Sequence, residues 1–193
     1  MLRDCSVKAH TRNSTPWATP ESEGGTRYSA NPLKENPWFQ VGRMSNELAT
    51  PKILVCPSDQ VGAPRRMATD FSSSPAAGGF FAVGFRNNSM SYFIGLHADF
   101  ELSWSFLGGD RNLQWDAVNA SCSLGFSNAE QLNDGLGGPV PHSRSWTNSI
   151  HGLTGNLLRS DGSVEELSIA SLRRAIGGPD PADNGSDHFL APR

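Results

Sequence analysis

The chain carries three cysteines, five histidines and a scatter of aspartates, the groups that could do chemistry. The thiols are Cys5, Cys56 and Cys122. No two stand as C-x-x-C, so neither a zinc ribbon nor a thioredoxin-type redox site is expected. Cys56 and Cys122 could make one internal bridge, but no spacing rule supports it, and both read as readily as buried thiols. The histidines are His10, His97, His142, His151 and His188. With Asp59, Asp110 or Asp161 they could supply a general base or metal ligands. Against that, no two histidines stand at i, i+2 or i, i+4, and no H-E-x-x-H, G-x-S-x-G or phosphate-binding glycine loop occurs. His151 therefore reads as a structural turn histidine whose ring bonds loop carbonyls. Asp161 reads as turn chemistry and Asp59 as a loop or capping carboxylate. Asp110 and Arg111 are neighbours, so in a strand they face opposite ways and each needs another partner. No catalytic residue, and no enzyme, is expected.

Two further groupings bear on binding. Asp180, Asp183, Asn184 and Asp187 crowd the tail with hard oxygen donors of the kind calcium takes. Their spacing is not that of an EF-hand, and a solvated acidic tail is the reading adopted. Five tryptophans could present plates for sugar rings. Trp38 and Trp104 fall on apolar stripes and read as core, leaving Trp17, Trp115 and Trp146 in loops as a candidate binding patch.

The elements that must position these groups can be read in order. Residues 1–35 are polar and turn-rich, an extended lead-in pinned by Trp17 and Tyr28. Asn36-Pro37 predicts a helix start, with Trp38, Val41, Met44 and Leu48 as its apolar stripe and Thr50-Pro51 as its stop. The run 52–56 reads as a buried strand, and 57–79 as a loop. Strands are predicted at 80–85, 91–96 and 102–107. Residues 114–145 read as a long irregular loop. Residues 155–160 and 163–167 form a hairpin on a type I′ Asp161-Gly162 turn. A short helix follows, capped by Ser168, with Ile169, Leu172 and Ile176 inward and Arg173 and Arg174 at its negative end. From Pro179 the chain reads as a loose polar tail.

Composition bounds the class. A chain of 193 residues suits one domain with tails, and at this size about 70% of the unfolded surface is buried, so no disulfide or metal is needed for folding. Only 18% of residues are charged, while 20 Gly and 13 Pro are present, the mark of a loop-rich, strand-containing fold. The net charge of −3, with no basic run, argues against a nucleic-acid partner or an anionic membrane surface. No apolar stretch reaches membrane-span length, and the first 30 residues show no signal-peptide core.

Several strings, taken in order, resemble a known family. They are Glu23-Gly24-Gly25-Thr26, Phe39-Gln40-Val41, Met44-Ser45-Asn46-Glu47-Leu48, Cys56-Pro57-Ser58-Asp59, Ser91-Tyr92-Phe93-Ile94-Gly95-Leu96 and Gly109-Asp110-Arg111-Asn112-Leu113, then His151, Gly155-Asn156 and Asp161-Gly162. Over about residues 16–176 this resembles the globular part of the pilin-like, type II secretion pseudopilin-like proteins with a C-terminal H-x9-DG motif. The resemblance implies an α+β domain over 36–178: a mostly antiparallel sheet, a helix before it and a short helix after it, with 179–193 as tail. It implies a structural subunit whose partners are other pilin-like subunits, placed at the periplasmic side or cell surface. It also implies a processed leader and a long apolar helix, absent from this sequence, so membrane anchoring is expected only through such a helix. Major pseudopilins carry calcium in a C-terminal loop, which is the second reason to note Asp180, Asp183 and Asp187. The alternative on the same fold is a cell-surface or periplasmic carbohydrate-binding module.

Overall fold

A computed structural model of the chain describes residues 15–60, 65–103, 105–114, 119–120, 122–131, 144–176 and 188–192. The helices among them are α1 (Pro37–Gly42) and α2 (Ile169–Ile176), with short 3-10 turns elsewhere. The strands are β1 (Tyr92–Gly95), β2 (Phe106–Asp110), β3 (Leu113–Gln114), β4 (Asn119–Ala120), β5 (Ala129–Gln131), β6 (Ser145–Trp146), β7 (Thr154–Arg159), β8 (Val164–Ser168) and β9 (His188–Leu190). The fold is α+β. Seven strands form one antiparallel sheet in the order β4-β5-β9-β1-β2-β7-β8, and β3 and β6 pair beside it.

Side-chain alternation gives the sheet two apolar faces. Ile94 lies opposite Leu190, and both join a core with Trp17, Trp38, Val41, Phe80 and Cys122. The next residues along each strand turn the other way. Phe93 and Phe189 meet at 5.1 Å between ring centroids and pack with Leu157, Leu172 and Ile176, so α2 covers that face. A register shift between Phe106 and Gly108 explains why Phe106 joins the α2 side although Gly108 pairs with Ile94 on the other.

β1, the β7–β8 hairpin and α2 lie where periodicity places them. Ser168 Oγ accepts from the Ser171 N–H, capping α2 as expected. The hairpin turn is of a different kind from the one predicted. The Gly162 N–H bonds Arg159 O, and only Gly162, at φ +85°, is left-handed. That is a type I turn closed by a glycine bulge, a three-residue loop rather than a two-residue one. Asp161 Oδ1 accepts from both the backbone N–H and the hydroxyl of Ser163. These bonds hold its carboxyl below the ordinary range.

Other expectations are corrected. The first helix stops at Gly42, where the Phe81 ring lies too close for any side chain, and turns carry Met44 and Leu48 on to the core. The run 52–56 is not a strand: Pro51 opens a 3-10 turn over Pro51–Leu54 that Thr50 caps. Residues 80–85 are turns, and Phe71, Phe80 and Phe81 pack edge to face or tilted instead of alternating across a sheet. The strand placed at 102–107 begins only at Phe106 and runs to Asp110.

The lead-in is docked from residue 15 onward. Trp17 is fully buried, and Thr26 donates to Gln40 in α1. Tyr28 is largely exposed, but its ring lies against Gly125 and its N–H bonds Leu124 O, so it ties the lead-in to the 122–126 turn. The end of the presumed tail is corrected most strongly. His188–Leu190 is a buried strand between β5 and β1, so the domain extends to 192 instead of closing at 178. Within 57–79, Asp59 and Ala68 are wholly buried, and β5 within 114–145 belongs to the sheet.

Candidate functional site

The strings around Cys56, Tyr92, Asp110, His151 and Asn156 meet at one end of β1. The first element is a tight turn. Pro57 presets the backbone for it, and the Asp59 N–H closes it on Cys56 O at 3.0 Å. Ser91 fastens this turn to the sheet: its Oγ accepts from the Cys56 N–H, and its backbone N–H donates to Leu54 O. The same turn aims Asp59 inward, and Asp59 is 0% exposed.

Arg111 reaches it from the end of β2. Its Nε donates to Oδ2 at 2.7 Å and its Nη2 to Oδ1 at 2.5 Å, a two-pronged pair. Arg65 adds a contact at 3.5 Å. Burial and the Arg111 charge push the Arg65 guanidinium below its ordinary value, and Asp59 opposes this. Asp110, pointing the opposite way from Arg111, takes the other side of the cluster as alternation demands.

Tyr92 pairs with Asp110 across β1 and β2, and Asn156 of β7 stands on Asp110's other side. The Asn156 backbone N–H and side-chain amide both donate to Asp110 Oδ2, at 2.7 and 3.0 Å. Asp110 Oδ1 is buried with no hydrogen-bond partner. Burial accordingly raises the Asp110 carboxyl above its ordinary value, partly offset by Asn156 and His151. Desolvation, then the charges of Cys56, Asp110 and Asp59, push the Tyr92 hydroxyl up to about 12.

His151 approaches from outside, its side chain 27% exposed. Gly152 and Leu153 both take left-handed backbone, which folds His151 back over β7, and Thr154 Oγ1 donates to His151 O. Its Nε2 lies 3.5 Å from Cys56 Sγ and 3.6 Å from Asp110 Oδ2. The expected bonds to loop carbonyls are replaced by a thiol and a carboxylate. A relay needs the base on one ring nitrogen and its orienter on the other. Here both neighbours approach Nε2, and Cys56 is buried.

The remaining motif residues are spacers and braces. Asn112 Nδ2 donates to Thr147 O and Thr154 O, tying β2 to the approach of β7. Gly95 ends β1, and Gly109 lies opposite Phe93. Gly155 passes under the Trp146 ring, where a Cβ would come within 2.6 Å of ring carbon. Asp161 and Gly162 sit at the far hairpin turn, away from the pairs just described. So Cys56, Pro57, Asp59, Tyr92, Asp110, Arg111, Asn112, His151 and Asn156 are brought together, whereas Gly162 shapes a turn.

The aromatic patch does not form as drawn. Trp17 and Trp146 are each 1% exposed, while Trp115 lies outside the described residues. The calcium candidates Asp180, Asp183 and Asp187 also lie outside them, as do Trp104, Cys5, His10 and His142. Neither Cys56 nor Cys122 forms a disulfide. No described helix is long and apolar enough to cross a membrane.

A second cluster went unread in the sequence. His97, Cys122 and His188 bring three donor atoms within 4.8 Å of one another. Their spacing is purely tertiary, so no local motif announced it. No family model, curated protein or solved structure matches the chain.

Proposed function

We propose that the chain is the globular part of a pilin-like structural subunit in a type II secretion- or pilus-type assembly, working by contacts with other pilin-like subunits at the periplasmic side or cell surface. One observation carries this reading. Five of the resemblance's strings, from Cys56 to Asn156, converge on a mostly buried lock in which Asp59 and Asp110 are held by the chain's own Arg111, Arg65, Asn156 and His151. Such a lock fixes the relative placement of a turn, the sheet centre and the last hairpin. Such an arrangement supports a scaffold over a bond-breaking site, whose groups must face a substrate.

The outer edge of the sheet supplies a surface for such contacts. β8 ends the sheet and is mostly exposed, with Val164 62% exposed. The charges of Glu165 and Glu166 guard it against indiscriminate strand pairing.

The test is crosslinking in cells that make the protein from its own locus, with a photoreactive residue at position 164 or 166. Expected products are adducts with pilin-like subunits in the membrane or sheared-filament fraction. A chain recovered only as an uncrosslinked monomer, releasing product from a thiol- or histidine-dependent substrate, would replace this reading with an enzyme.

A further inference from the structure

We infer that His97, Cys122 and His188 form a zinc(II) site, with three protein ligands and a fourth position for water. The site lies at the opposite end of β1 from the motif cluster. Between them lie the strand Tyr92–Gly95 and the turn that carries Leu96 and His97, at most about 17 Å of chain. It owes nothing to the residues of the proposed scaffold lock, and stands or falls separately from it.

The donors suit the ion. One thiol and two imidazoles are borderline-soft ligands, which take zinc and its transition-metal neighbours and not calcium or magnesium. Zinc has no electronic preference of geometry, so it accepts three ligands plus water. His97 Nε2 lies 3.0 Å from Cys122 Sγ, and the His97 and His188 rings stand 5.0 Å apart at 47°. Around tetrahedral zinc, bond lengths of about 2.0 Å to nitrogen and about 2.3 Å to sulfur place nitrogen about 3.5 Å from sulfur and about 3.3 Å from nitrogen. The three atoms, all within 4.8 Å of one another, need move by only about an ångström.

The backbone holds all three in place before any ion arrives. His188 opens β9 opposite Gln131 of β5, and its carbonyl accepts from the Leu96 N–H, one residue before His97. Cys122 sits in the turn between β4 and β5, which the Cys122 N–H closes on Phe126 O. The ligands thus come from β9, from the turn that follows β1 and from the β4–β5 turn, all anchored to the ladder that orders the sheet. Cys122 and His188 are buried, at 6% and 4% exposed, so an ion there meets little competing water. Binding would exchange the Cys122 S–H proton for a sulfur–zinc bond, releasing one proton to solvent.

The test uses the full chain without a histidine tag, stripped with chelator and titrated with Zn²⁺ or Co²⁺. Expected are one ion per chain, a thiolate-to-cobalt absorption band with the visible bands of a tetrahedral centre, and a melting temperature raised by Zn²⁺ and restored by chelator. X-ray absorption on the zinc-loaded wild type should show one sulfur at about 2.3 Å and nitrogen or oxygen at about 2.0 Å. Cys122→Ala and His188→Asn should each weaken binding by more than the roughly 100-fold that loss of a supporting group costs. Cys56→Ala should leave it unchanged. No sulfur in the wild-type spectrum overturns the site even if the variants fail to fold. A cobalt band that survives Cys122→Ala and vanishes in Cys56→Ala overturns it too, by moving the ion to the His151 cluster.

Discussion

Replacing Asp59 with Asn is the sharpest probe of the buried lock. The change keeps shape and volume but removes the one negative charge that Arg111 grips with two bonds and Arg65 approaches at 3.5 Å. One oxygen becomes an NH₂ group facing a guanidinium N–H, so a donor meets a donor. Each charge pair at this range is worth about 4 kcal/mol at an effective dielectric near 20. The lost desolvation cost of the carboxylate returns part of that. The net loss should be about 3–5 kcal/mol, the range for breaking one side of a buried pair. That is a fifth or more of the roughly 5–15 kcal/mol that holds a typical domain together. Urea unfolding can be followed through the buried Trp17, Trp38 and Trp146. With a slope of about 2–3 kcal/mol/M, the midpoint should fall by at least about 1 M, the slope itself staying unchanged. A loss under about 1 kcal/mol, the size of an exposed pair, would refute the reasoning.

Four further outcomes are expected. Burial raises the Asp110 carboxyl in the folded state, so its contribution is full below about pH 4 and is lost as pH rises through the folded value. Asp110→Asn should therefore gain on the wild type as pH rises above about 4 through that folded value, and urea midpoints showing a constant or opposite difference would contradict this. Gly155→Ala should cost about 1–3 kcal/mol by forcing a methyl against the seated Trp146 ring, and an unchanged melting temperature would mean the ring yields. Phe189→Ala should cost about 3–5 kcal/mol, and deleting residues 188–193 should abolish cooperative unfolding by circular dichroism; a truncated chain that still melts sharply would show that β9 is dispensable.

Legibility in the sequence followed the range of the forces. The β7–β8 hairpin and α2 were readable because Asp161-Gly162, Ser168 and the Ile169, Leu172 and Ile176 spacing act within a few residues. β1 was readable from its aromatic and β-branched content. Residues 52–56 misled because an apolar run looks alike in a strand and in a 3-10 turn; Pro51 decided it. Residues 80–85 misled because phenylalanines can pack on each other as well as on a sheet. His188-Phe189-Leu190 is too short to show a period, and its place depends on β5 and β1, far away in sequence. At the motif cluster, alternation correctly set Asp110 and Arg111 apart, yet nothing local tied Arg111 to Asp59 or His151 to Cys56. Those pairings exist only once the sheet has formed.

The position of β9 has a consequence for how the protein is made. It follows every other strand of the sheet in the chain, yet it fills a gap between strands synthesised long before it. Until it arrives, β4 and β5 have no connection to the rest of the sheet, and Ile94 and Phe93 lack their facing partners. A nascent chain of this design cannot close its sheet until β9 itself has been made. Until then β1 presents an unpaired edge, open to pairing with the wrong strand.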